Sequence, residues 1–304
     1  MTIPSYLRTG DKVTILAPAG LIEPGQIASA IKIIESWGLK IDLGKSIFSN
    51  HYNFSGTDTE RTADLQEALD NPEIKAIFCA RGGYGVLRII DKIDWTNFIK
   101  NPKWIIGYSD ITAIHATCNN LLNIASVHGP MQVNFEKLQK EQKSLDYLKK
   151  ILFGQSVIYS IPNVNKTIPT EIEGKILGGN LSLLYSLRGT PYDFNPENSI
   201  LFIEDIGEYM YHIDRMIQNF RLGNKFKGLK GIILGNFTEI KENDIPFGLT
   251  IEEIVSNALG ENLIPVITGF PAGHTTPNYP LVFGSKVKIK VEKEKIDFFL
   301  NQWS

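Results

Sequence analysis

The chain has 304 residues, 43% hydrophobic and 21% charged, and its 31 Lys and Arg against 33 Asp and Glu leave a formal charge of -2. At ~150 residues per domain that length predicts two domains or one large one, and the balance is that of a soluble globular protein with no field for nucleic acid or an anionic membrane. Pro4, Asp11 and Lys12 interrupt the apolar core a signal peptide needs, no run approaches the ~18 apolar residues of a membrane span, and Cys79 and Cys118 sit in apolar segments, which together predict a reduced, cytoplasmic protein.

In the first half, short apolar runs bounded by Gly or Pro alternate with helical periodicity, the pattern of βα units around a parallel sheet. A strand is predicted over 13–17, a helix through Ile27, Ile31, Ile34 and Trp37 that stops at Gly38, and a second strand over 39–43. Thr57 and Glu60 form a capping box ahead of Ala63, Leu65, Ala68 and Leu69, with Pro72 just beyond. A third strand, 76–79, runs into Arg81-Gly82-Gly83-Tyr84-Gly85. A fourth, 104–107, runs into Tyr108-Ser109-Asp110 before a helix carrying Ala113, Ala116 and Leu121. Both runs lie where open α/β sheets place their sites.

A charged helix over 136–150 and a polar stretch with Pro162, Asn163, Asn165 and Pro169 read as the passage between domains. The expected division is therefore 1–150, a linker over 151–170, and 171–304. Beyond it the pattern predicts strands over 174–177, 200–203, 231–234 and 265–268, helices over 181–187, 211–220 and 251–259, and a closing hairpin over 286–300.

Ser109 carries the most chemical information. A strand ending at Gly107 and followed directly by a helix forces a tight turn that lifts the hydroxyl above the sheet edge, with the first helical amides facing whatever it attacks. Ile111 stands where a nucleophile elbow has its second glycine, and helix capping by Ser109 or Asp110 is the plain alternative. A serine nucleophile needs a base, and the base needs an acceptor that holds its tautomer. His51 lies in a polar loop, His212 within a helix, and His115 six residues along the same helix as Ser109, where a packed or solvated role fits. His128, at the end of an apolar run, competes with His274, which follows a strand in the rigid loop Gly269-Phe270-Pro271-Ala272-Gly273. For the acceptor, the strand over 200–203 runs into Glu204, Asp205 and Glu208. No H-E-x-x-H and no close Cys/His pairing point to a metal, and the glycine loop lacks the rest of a phosphate-binding motif. Its amides suit the second donor of an oxyanion hole.

Arg81-Gly82-Gly83-Tyr84-Gly85, Gly107-Tyr108-Ser109-Asp110-Ile111-Thr112, Gly178-Gly179-Asn180-Leu181, Ile203-Glu204-Asp205-Ile206-Gly207-Glu208 and Gly269-Phe270-Pro271-Ala272-Gly273-His274 together resemble the LD-carboxypeptidase family of serine peptidases, in family order and over nearly the whole chain. That family includes muramoyltetrapeptide carboxypeptidases and microcin C immunity peptidases. The resemblance implies an N-terminal flavodoxin-like or class I amidotransferase-like α/β domain and a C-terminal swivelling β/α domain. It implies Ser109 as nucleophile, His274 as base and Glu204 as its orienter, an oxyanion hole from the amides of Asp110 and Gly83, and no cofactor or metal. The implied reaction is release of terminal D-Ala from a murein tetrapeptide in peptidoglycan recycling, by a cytoplasmic homodimer. Arg81, with Gly82 beside it, is the expected contact for the substrate's free carboxylate. Two rivals are a same-family peptidase of a microcin-C-like peptidyl nucleotide and a non-catalytic α/β protein that binds a small anion while Ser109 caps its helix.

Overall fold

The computed structural model describes residues 1–164 and 167–300. Asn165, one of the polar residues of the expected passage, lies outside them. In chain order the first half runs β1 (Lys12–Leu16), α1 (Ala28–Ser36), β2 (Lys40–Leu43), α2 (Asp58–Asp70), β3 (Ile74–Cys79), α3 (Thr96–Lys100), β4 (Trp104–Gly107), α4 (Thr112–Ala116), β5 (Ser126–His128), α5 (Phe135–Leu138) and α6 (Lys143–Leu152). The second half runs β6 (Val157–Pro162), β7 (Thr170–Asn180), α7 (Leu181–Ser186), β8 (Ser199–Ile206), α8 (Met210–Leu222), β9 (Gly231–Thr238), α9 (Ile251–Leu259), β10 (Val266–Ile267), β11 (Leu281–Phe283), β12 (Lys286–Val291) and β13 (Lys295–Leu300).

Among the described residues the strands form two sheets. The first has the order β2-β1-β3-β4-β5-β11, with β1 to β5 parallel and β11 antiparallel at the edge. Its first five positions follow the flavodoxin-like order, which reverses direction between β1 and β3 and opens a crevice at their carboxyl ends. The second sheet has the order β10-β9-β8-β7-β12-β13-β6, parallel from β10 to β7 and antiparallel thereafter.

The central strands of both parallel regions are covered on both faces, which is why β3, β4 and β8 read as apolar runs, whereas β2 at the edge is largely exposed. Strand alternation sorts the side chains. Ala76, Phe78, Trp104 and Ile106 of the first sheet share one core with Ile200, Phe202 and Ile233 of the second. Ile77, Cys79 and Ile105 face a separate cluster with Ile111 and Ile114, and Leu201, Ile203 and Ile232 face another with residues of α8 and α9. One continuous core thus joins the sheets.

Three expectations need correction. The stretch 151–170 is not a bare linker, because β6 lies within it and pairs with β13, burying Val157, Tyr159 and Ile161 on alternate positions. Residues 281–283 belong to the first sheet, where β11 pairs with β5 and carries the chain back across the division at 170. The charged helix over 136–150 is two helices, α5 and α6, broken where Gln142 takes a φ of 65°.

Candidate active site

Gly107 ends β4, and the chain turns at once into the helical run that becomes α4. The turn places Ser109 in the left-handed region at φ 62°, a conformation that costs a non-glycine residue of order 1–3 kcal/mol and collects at functional turns. The glycine loop after β3 lies directly against it. A Cβ on Gly82 would stand 2.9 Å from Ser109 Cβ and 3.1 Å from its Oγ, so only glycine allows this approach. Gly82 is held there because its carbonyl accepts from the Gly20 N–H at 2.9 Å.

His274, in the loop after β10, stands with Nε2 3.1 Å from Ser109 Oγ, and its Nδ1 lies 2.7 Å from Glu204 Oε2. Because a carboxylate only accepts, Nδ1 carries the proton and donates to Glu204, leaving Nε2 to accept from the serine hydroxyl. Glu204, near the end of β8, has a fully buried side chain, and its Oε1 has no hydrogen-bond partner among the described residues. The Tyr108 ring packs against the imidazole in an edge-to-face arrangement with centroids 4.9 Å apart. Burial, reinforced by the nearby Glu204 carboxylate, pushes the Tyr108 phenol up, so it stays a neutral wall.

The other carboxylates are occupied elsewhere. Asp205 accepts from Asn180 Nδ2 at 2.8 Å and from the Ser182 N–H at 2.9 Å at the start of α7, and burial raises its pKa to about 7. Glu208 meets His212 at 3.0 Å, one turn along the chain. His128 is buried among Tyr108, Phe202 and Phe283 with no hydrogen-bond partner among the described residues, and burial holds its pKa well below the ordinary value. His115 is fully buried: its ring bonds the Gly107 carbonyl at 2.8 Å and Ser126 Oγ at 2.9 Å. Ser109, Glu204 and His274 are therefore brought together; His128, Asp205 and Glu208 are not part of that chain.

Arg81 is exposed and donates to the Leu21 carbonyl at 2.9 Å. With Gly20, Glu23, Tyr52, Phe54, Gly83 and Tyr84 it lines a cavity of about 480 Å³. This cavity opens at the carboxyl ends of β1 and β3, the topological switch point of the first sheet. Gly83 lines the cavity, and it is at Gly82 that an added Cβ would meet Ser109. Sequence reasoning missed Thr112, whose Oγ1 accepts from the Asn180 N–H at 3.0 Å and ties the helix of the elbow to the second sheet. The Gly178-Gly179-Asn180 run was the signal for it: a Cβ on Gly179 would lie 2.5 Å from that hydroxyl.

Profiles described as the LD-carboxypeptidase N-terminal domain and the LD-carboxypeptidase C-terminal domain match residues 13–129 and 173–289. The chain is 33% identical to a probable murein peptide carboxypeptidase of Bacillus subtilis over 96% of its own length and 92% of that protein's. It is 27% identical to the microcin C7 self-immunity protein of Escherichia coli, covering 95% and 93%. The crystal structure of a muramoyltetrapeptide carboxypeptidase from Oxalobacter formigenes superposes with a TM-score of 0.86 at 27% identity, covering 95% of this chain and 98% of that one.

Proposed function

This chain belongs to the LD-carboxypeptidase family, and from that premise we propose that it is a serine-type carboxypeptidase that releases terminal D-Ala from murein tetrapeptides. The observation that carries the reading is the hydrogen-bonded chain from Ser109 through His274 to Glu204, which links the ends of β4, β10 and β8 across two sheets. As Ser109 Oγ attacks the carbonyl of the L-residue, its proton passes to His274 Nε2, and Glu204 stabilises the imidazolium that forms. The amides of Asp110 and Gly83 receive the oxyanion. The tetrahedral intermediate collapses by breaking the C–N bond, with the Nε2 proton going to the departing D-Ala amine. Water then repeats the sequence on the acyl-enzyme.

Arg81 at the cavity supplies the cation for the free carboxylate, where a guanidinium forms paired, charge-assisted hydrogen bonds. The same reading places the enzyme in cytoplasmic peptidoglycan recycling as a homodimer; its two free, buried cysteines suit a reducing compartment. The test is to label folded protein with a fluorophosphonate and to incubate it with a murein tetrapeptide and, separately, a microcin-type peptidyl nucleotide. Labelling at Ser109 with release of free D-Ala is expected. Labelling with turnover of the nucleotide alone would transfer the assignment to the sibling activity, and absence of both labelling and turnover would refute it.

A further inference from the structure

The glycine loop against Ser109 is gripped at its far end by two fully buried charged side chains that the proposed reaction does not itself use. Asp110, the residue after Ser109, accepts from the Val86 N–H through Oδ2 at 2.8 Å. Arg61, on α2, donates from Nη1 to the Gly85 carbonyl at 3.0 Å. That N–H and that carbonyl belong to one peptide group, Gly85–Val86, so a carboxylate and a guanidinium hold its two opposite sides. Three further bonds hold the Arg61 guanidinium: Nη1 also reaches the Pro18 carbonyl at 2.6 Å, Nε the Gly56 carbonyl at 3.3 Å, and Nη2 the Asp58 carboxylate. A Cβ on Gly85 would fall 2.6 Å from Arg61 Nη1, so the loop has room for the guanidinium only because that position is glycine.

Such an arrangement is costly to build. Both side chains are 0% exposed, and a buried charge is destabilising unless it is hydrogen-bonded or paired. The peptide they hold lies three residues beyond Gly82, which touches the nucleophile, and two beyond Gly83, which lines the cavity. The other end of the loop is held by backbone bonds, Ala80 N–H to the Leu16 carbonyl and Gly20 N–H to the Gly82 carbonyl, and by the exposed Arg81, which donates to the Leu21 carbonyl.

We propose that Asp110 and Arg61 are positioning residues that clamp the Gly85–Val86 peptide and so hold the glycine loop in register with the elbow. In this scheme Asp110 acts twice: its amide meets the oxyanion, and its carboxylate sets the loop that brings the second donor. The inference rests on the serine-peptidase reading.

The test measures kcat, KM, the rate of Ser109 labelling by a fluorophosphonate and the affinity for the tripeptide product, in wild type, Asp110→Ala, Arg61→Met, the double variant, and Asp110→Asn. Loss of the clamp should cut kcat and the labelling rate together by about 10²-fold, the cost of an ångström-scale misplacement, while product affinity stays as in wild type. The double variant should lose about as much as one single, since both act on one peptide group. Asp110→Asn, which keeps an oxygen for the Val86 N–H, should recover most of the rate. Should Asp110→Ala not fold, Arg61→Lys carries the same test, because it keeps the charge but loses the fork. Folded variants with wild-type labelling, or losses that multiply in the double variant, overturn the clamp. A wild-type protein that neither labels nor releases D-Ala overturns the parent reading and the clamp with it.

Discussion

Replacing His115 with Gln should make stability less sensitive to acid, and the structure sets the size of the effect. His115 is fully buried, and burial lowers its pKa from 6.5 to about 4. Its Nε2 faces the Gly107 carbonyl, which only accepts, so Nε2 carries the proton and Nδ1 accepts from Ser126 Oγ. Between pH 6.5 and 4 the unfolded chain therefore binds a proton that the folded chain excludes, and the wild type loses stability as pH falls through that window. At ~1.4 kcal/mol per pH unit the loss from this residue is about 3 kcal/mol. His115→Gln keeps an N–H for Gly107 but leaves the buried Ser126 hydroxyl without its acceptor, which costs about 1–3 kcal/mol at pH 7.5. Urea unfolding of both proteins from pH 7.5 to 4.5 should show the gap narrowing by about 2–3 kcal/mol. Asp110 and Asp205 titrate in both and cancel in the difference, whereas His128, which His115 helps to push down, is depressed less in the variant and adds to the same trend. A gap that is constant with pH would refute the buried neutral imidazole.

Glu204→Gln offers an N–H to His274 Nδ1 and favours the wrong tautomer, so kcat on a tetrapeptide should fall on the order of 10⁴-fold with KM little changed; a loss under tenfold would remove Glu204 from its role. Gly82→Ala forces a methyl to within 2.9 Å of Ser109 Cβ, so steady-state kinetics should show a loss of roughly 10²-fold in kcat, with thermal unfolding separating this from collapse of the fold. Arg81→Ala should raise KM for a free-acid tetrapeptide by roughly tenfold or more, as expected for a lost charge-assisted hydrogen bond, and leave the C-terminal amide of the same peptide unaffected. Equal effects on both peptides would place Arg81 outside carboxylate recognition.

Features with a local cause were legible in the sequence. The Thr57/Glu60 capping box closes reciprocally at the start of α2, and the alternation of Val287, Ile289 and Val291 becomes the buried face of β12. The four strands read in the first half are all present and parallel, and the central ones, β1, β3 and β4, are apolar because both faces of that sheet are covered there. What escaped depends on distant partners. Leu281, Val282 and Phe283 are three apolar residues with no period long enough to read, and they become a strand only because β5 presents a free edge. β6 does alternate, but it sits among prolines and asparagines that signal a loop, and β13 supplies its pairing. Arg61 looks like a solvated residue on an amphipathic helix; its burial comes from carbonyls at Pro18 and Gly85, far along the chain.

The same distinction runs through the site. The residue types were readable because each sits at a strand end where parallel sheets concentrate function, while His128 and His274 stayed in competition until the family resemblance favoured His274. The 3.1 Å between His274 and Ser109 spans 165 positions and belongs to no local pattern. It follows from one core shared by the two sheets, from β11 returning to the first sheet, and from the Thr112 to Asn180 bond beside the elbow. Chemistry is therefore written in the strand-end motifs, while the distance at which it operates is set by the packing between sheets. A substitution in that shared core, such as Phe202→Ala, should lower kcat without touching any group that reacts.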